Sequence, residues 1–263
     1  MKLLRQQLCS FLMHEETPVD SILSLHSFEE IFLEIDSILK SETPENVVHT
    51  LGFIRDANLY EHPFREGFRE HLSSANLWES FQTLLKAPNF NVRGNAIYTV
   101  GKLTNRDRAY LLSDAFSFYL ANDPLNLPRL LSEHLWLTNK WNWDWVERIA
   151  SADHYLKRWS LCQVIDDDGS DEETKRCFME VLPRLKSDAN FFVASEAKFR
   201  FERVKVKLEP KLSKSEWRKE VKRIASLEPK MTFEWTAMRF MQNRLDYTLA
   251  EFDQFVKNSA NAK

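Results

Sequence analysis

Glycine is scarce in this chain, with five in 263 residues, at positions 52, 67, 94, 101 and 169. So few glycines argue against folds built on tight hairpin turns and against glycine-rich phosphate loops. Cysteine is scarcer still. Cys9, Cys162 and Cys177 are odd in number and have no metal-type spacing, so reduced thiols and a cytoplasmic setting are expected. Long apolar runs are missing too: no window approaches the roughly 18 residues a membrane span needs. Arg5, Gln6 and Gln7 interrupt any signal-peptide core at the start. The seven histidines form no His-x-x-x-His pair, and no Gly-x-Ser-x-Gly elbow, P-loop or dinucleotide fingerprint occurs. The acidic run at 166–173 lacks the ligand spacing of a calcium loop and reads as a solvated connection. No metal, no cofactor and no membrane association are expected.

What the chain does have is helical periodicity. Hydrophobic residues make up 43% and charged residues 29%, the balance of a globular protein. Apolar positions recur at three- and four-residue spacing, as in Ile31, Ile35, Ile38 and Leu39, or Leu77, Phe81, Leu84 and Leu85. Breaks near 43–46, 87–91, 122–128, 166–173, 186–190, 208–211 and 227–230 divide the chain into helices of ordinary length joined by short loops. Net charge is −3 but uneven. Eleven acids face two bases between Glu15 and Glu61, whereas Lys198 to Lys230 carries twelve bases against five glutamates. The first segment repels nucleic acid; the second reads either as a phosphate-facing surface or as amphipathic helices with basic outer faces.

The segment PNFNVRGNAIYTVGKL (88–103) resembles a unit of the HEAT-repeat family. A proline stops one helix, Val92-Arg93 follows, Ala96 and Gly101 are small enough for close helix contact, and an apolar-Gly-x-Leu ending closes the unit. Val47, Leu51, Gly52 and Ile54 repeat the offsets of Ala96, Val100, Gly101 and Leu103, and the starts at 155–165 and 191–201 echo the same helix. The resemblance implies an all-α, HEAT/armadillo-like superhelix of irregular helical hairpins, read as a single domain over 1–263.

From Trp145 the likeness narrows. WVERIASADHYLKRWSLCQVI (145–165) and the following 171–203 segment, with acids opening one helix and Phe191-Phe192 the next, are similar to part of the AlkD-type DNA alkylation repair proteins. That resemblance implies a basic concave surface for duplex DNA, with tryptophans and a carboxylate from a Trp-Asp motif near the damaged nucleotide. In repeat register that motif falls at Leu125-Asn126, where no carboxylate stands. Trp143-Asp144 copy it out of register, and ASEAKFRF (194–201) replaces the Lys-Ala-Ile-Gly-Trp run of the family.

Six residues are the candidate binding set: Trp143, Asp144, Arg93, Arg158, Trp159 and Arg200. Trp141, Trp145, Ile149 and Ala152 share one helical face and are expected in the core. That leaves Trp143 to pack or to stack on a ligand. Asp144 precedes Arg148 by one turn and reads as an exposed ion pair or a favourable helix-start charge. Arg93 and Arg158 either reach a phosphate or an acidic partner, or lock adjacent repeats by internal ion pairs. A non-catalytic scaffold taking a protein partner on its concave face is the first expectation. A DNA-binding, repair-like protein is the alternative, and an enzyme of this kind would be glycosylase-like.

Overall fold

The computed structural model describes residues 2–11, 19–59, 63–74, 77–103, 108–165, 171–208, 212–228 and 233–261. Among them the chain is all-α, with sixteen helices and no strand. The acidic connection expected over 166–173 lies, as far as residue 170, outside the described residues, and so do parts of the breaks near 208–211 and 227–230. By internal packing the chain divides into two compact units.

The first unit takes Met1–Phe118, Ser132–Asn139 and the short stretch Leu245–Tyr247. It holds α1 (Lys2–Cys9), α2 (Val19–Leu25), α3 (Phe28–Ser41), α4 (Pro44–Leu59), α5 (Pro63–Ser74), α6 (Trp78–Leu84) and α7 (Phe90–Lys102). It also takes most of α8 (Ala109–Asn122) and much of α9 (Leu127–Thr138). Ser27 starts α3 through a capping box with Glu30, each side chain satisfying the other residue's backbone N–H. The expected stripe Ile31, Ile35, Ile38 and Leu39 is buried. Its neighbour Phe32 stacks on Phe68 at 4.9 Å, and Phe53 meets Phe68 edge-on at 5.9 Å.

Helix α4 packs on α7 through polar as well as apolar groups. The buried Arg55 donates to Thr99 Oγ1 at 3.0 Å, and Asn58 Nδ2 donates to the Lys102 carbonyl at 2.6 Å. At Gly101 the α9 side chain of Glu133 comes so close that an added Cβ would stand 2.5 Å from its Cβ and 2.6 Å from its Cδ. The glycine is therefore a packing requirement of the α7–α9 approach, as its place in the repeat-like segment suggested.

The second unit takes Tyr119–Leu131, Lys140–Arg244 and Thr248–Lys263. Here α10 (Trp143–Ala150) packs on α11 (Tyr155–Val164), α12 (Glu172–Lys186) packs on α13 (Phe191–Leu208), and α11 lies against α13. Helix α14 (Lys214–Ala225) follows on α13, and α15 (Phe233–Met241) meets α16 (Leu249–Asn261) through Phe240 edge-on to Phe252 at 5.0 Å. The Ser160 hydroxyl on α11 donates to the Pro124 carbonyl at 2.6 Å, tying the turn before α9 to this unit. No described helix is long and apolar enough to cross a membrane.

Candidate functional site

Helix starts position most of the candidate residues, and two of those starts are built alike. Asn89 caps α7, accepting the Asn91 and Val92 N–H groups on its side-chain oxygen. His154 caps α11, accepting the Leu156 N–H at Nδ1. In both, an aromatic residue follows the cap and an arginine stands four positions beyond it, as in APNFNVR and ADHYLKR. Side-chain caps satisfy backbone donors that a helix start otherwise leaves open.

The two arginines make the same bonds. Arg93 donates to the carbonyls of Ala87 at 2.8 Å and Pro88 at 3.1 Å, and pairs with Asp246 at 2.7 Å. Arg158 donates to Ala152 at 2.6 Å and Asp153 at 2.9 Å, and forks onto Asp188 through Nε at 2.5 Å and Nη2 at 3.0 Å. Each guanidinium thus closes its own inter-helix turn and grips an aspartate from a distant one. Both aspartates occupy one place: Asp188 lies two residues before Asn190, which caps α13, and Asp246 two before Thr248, which caps α16. The side chain of Arg93 is 2% exposed and that of Asp188 is 7% exposed. Burial alone would raise the Asp188 carboxyl, but the Arg158 fork and the Asn190 N–H reverse this and hold it below the ordinary aspartate value.

Arg200 on α13 pairs with Glu196 at 3.0 Å and donates to the Ile165 carbonyl at the end of α11 at 3.3 Å. Trp159 is buried, with Leu161 and Cys162 beside it in the α11 core. Burial pushes the Cys162 thiol far up, leaving it un-ionised. Of the six candidates, Arg93 lies in the first unit and the other five in the second.

Trp143 and Asp144 open α10, whose cap Asn142 accepts the Trp145 N–H at 3.3 Å. Trp145, Val146 and Ile149 form the buried face, as the periodicity predicts. Ala152, past the Ser151 cap, is only half-buried, and Trp141 also departs from the prediction. Trp141 precedes the helix and so escapes the 100° rule, and it is half-buried, standing edge-on to Phe178 of α12 at 4.9 Å. Trp143 is half-buried against the same ring at 5.5 Å. Asp144 is exposed and faces Arg148 at 3.8 Å. Trp143 therefore leans on α12, while Arg158 turns to the start of α13 and Arg200 to the end of α11. At Leu125-Asn126, Asn126 is buried and donates through Nδ2 to the buried Asp123 at 2.9 Å.

One cluster escaped the sequence reading. His154 Nδ1 accepts a helix N–H, so Nε2 carries the ring proton and donates it to Asp253 Oδ2 of α16 at 3.1 Å. The ring stacks on Tyr155 at 4.7 Å, and burial followed by a hydrogen bond to Asp253 drives the Tyr155 hydroxyl upward. A histidine in a cap position was the only local signal, since the aspartate lies 99 residues away. Among the described residues, no group of three or more His, Cys, Asp or Glu converges as metal ligands. No family model matches the chain, and no curated protein matches it.

Proposed function

We propose that the chain is a HEAT-like scaffold running through residues 1–263, without catalysis of its own, that binds a protein partner along its concave face. The observation that carries this reading is the twice-built arginine lock. Arg93 and Arg158 spend their donors on turn carbonyls and on Asp246 and Asp188, so they brace helices instead of waiting for a phosphate. Arg200 is likewise committed, to Glu196 and the Ile165 carbonyl. A repeated internal brace is what a load-sharing stack of helical repeats requires, because each repeat is stable only against its neighbours. Large apolar side chains stand in solvent on several helices, among them Leu33 on α3, Trp136 on α9 and Phe191 on α13, and such groups are common anchors in protein interfaces.

The test is cross-linking of the full chain in extracts of its native cell, read by mass spectrometry, beside a titration of duplex DNA against salt. The expected result is one protein recovered reproducibly with cross-links on this chain's surface helices, and no DNA binding at physiological salt. Duplex binding that falls steeply with salt, with no recurrent protein cross-link, would overturn it.

A further inference from the structure

Helix α14 packs on α13. Ile224 is its one buried residue, packed with Phe199 and Val206 of α13 and flanked by Leu212 and Leu227. At 100° per residue, Ile224, Trp217 and Val221 form one apolar ridge. Trp217 and Val221 nevertheless remain 37% and 45% exposed. The two flanks of the ridge differ in charge and in how that charge is engaged. On one side Glu216 completes the capping box of Ser213, and Glu220 pairs with Arg223 at 2.8 Å, which also reaches Glu202 at 2.8 Å. On the other side Lys214, Arg218 and Lys222 rise in successive turns with Lys219 beside them. All four are exposed, and they pair with no acid among the described residues. Their charged heads recur about every 6 Å along the helix axis.

We propose, resting on the scaffold reading above, that this face of α14 docks an acidic amphipathic helix of the partner protein. A partner helix with carboxylates at four-residue spacing repeats the same 6 Å rise (roughly, by helix geometry), so its acids meet Lys214, Arg218 and Lys222 in register. Apolar residues beside those acids cover Trp217 and Val221, which a bare charge contact leaves wet. A polynucleotide satisfies the cations but not the ridge. Lys207 already sits 5.2 Å over the Trp217 ring, so one stacking face is occupied, and Val221 offers no ring at all. The net charge of −3 also opposes a long polyanion more than a short helix.

The experiment uses the full chain and a labelled synthetic amphipathic peptide about as long as α14, with Glu at four-residue spacing and Leu alongside. A copy with Gln for Glu and a labelled single-stranded DNA are run beside it, all by fluorescence anisotropy at low and moderate salt. The acidic peptide is expected to bind saturably. Its affinity should fall about tenfold in the triple variant Lys214→Gln, Arg218→Gln, Lys222→Gln, and also with Val221→Asp or added salt. Circular dichroism checks that the variants keep their helix content. In the unsubstituted chain, peptide should slow amide exchange across 214–225. Absence of peptide binding at low salt, equal binding by the triple variant, or tighter binding of the DNA than of the peptide would overturn the proposal. Loss of this site alone leaves partner cross-links on other helices, whereas failure of the scaffold reading leaves no partner at all.

Discussion

At the scale of the residue, the arginine locks decide the most. Removing Arg158 leaves Asp188 buried and two turn carbonyls without their donor, so Arg158→Ala should destabilise the chain by about 3 kcal/mol. Glu147 and Arg184 form a pair of similar length at 2.7 Å but both are about half exposed. Glu147→Gln should therefore cost well under about 1 kcal/mol, and denaturant melts of the two variants compare them directly. The lock also sets a dependence on acid. Folded Asp188 holds its charge to lower pH than the unfolded residue does. Its contribution is thus fully present above the ordinary aspartate range and is lost as pH falls below about 4 and through the depressed folded value. Melts over that window should show the loss in the parent, and a smaller one in Arg158→Ala. Half of this was legible in the sequence. An arginine near a helix start could be picked out, and an internal lock was one of two readings for it. Its acid was not legible, because Asp188 lies 30 residues on and Asp246 lies 153 beyond Arg93.

At the scale of the element, the apolar period was a good guide wherever a helix was under way, and a poor one at its threshold. Trp145 and Ile149 are buried as predicted, but Trp141 lies before the Asn142 cap and its side chain obeys no helical register. Asn142→Ala should lower stability by about 1 kcal/mol, because the Trp145 N–H loses its acceptor at the start of a helix of only eight residues. Close helix contact was also readable at Gly101, from its place in the repeat-like segment. Gly101→Ala pushes a methyl into Glu133 and should cost about 1–3 kcal/mol by overpacking, seen as a lower melting temperature.

At the scale of the whole molecule, a charge count does not tell which charges are spent internally. Twelve bases between Lys198 and Lys230 leave both a phosphate-facing surface and amphipathic helices with basic outer faces open. Yet Arg200 and Arg223 are tied to glutamates, and four of the exposed cations that pair with no acid among the described residues, Lys214, Arg218, Lys219 and Lys222, lie together on α14. Duplex DNA titrated at low salt should therefore show a shallow salt slope, and Arg158→Ala should leave that slope unchanged while lowering the melting temperature. The helical class could be read from periodicity and the shortage of glycine. The division into two compact units could not, because it arises from contacts between residues far apart in the chain, such as those that bring Leu245–Tyr247 to α7.

The series of locks also has an end. At the start of α13, Asn190 and Phe191 keep the cap and the aromatic, but Ala194 occupies the place that Arg93 and Arg158 hold in their helices. No guanidinium is offered there to an aspartate further along, and α14 rests on α13 chiefly through the small cluster around Ile224. The molecule should therefore open from this side first. Native-state exchange should release the α14 amides through a low-energy local fluctuation, while those of α11 and α13 wait for global unfolding. A segment that frays so readily is also the one a partner can order at least cost to the remaining helices.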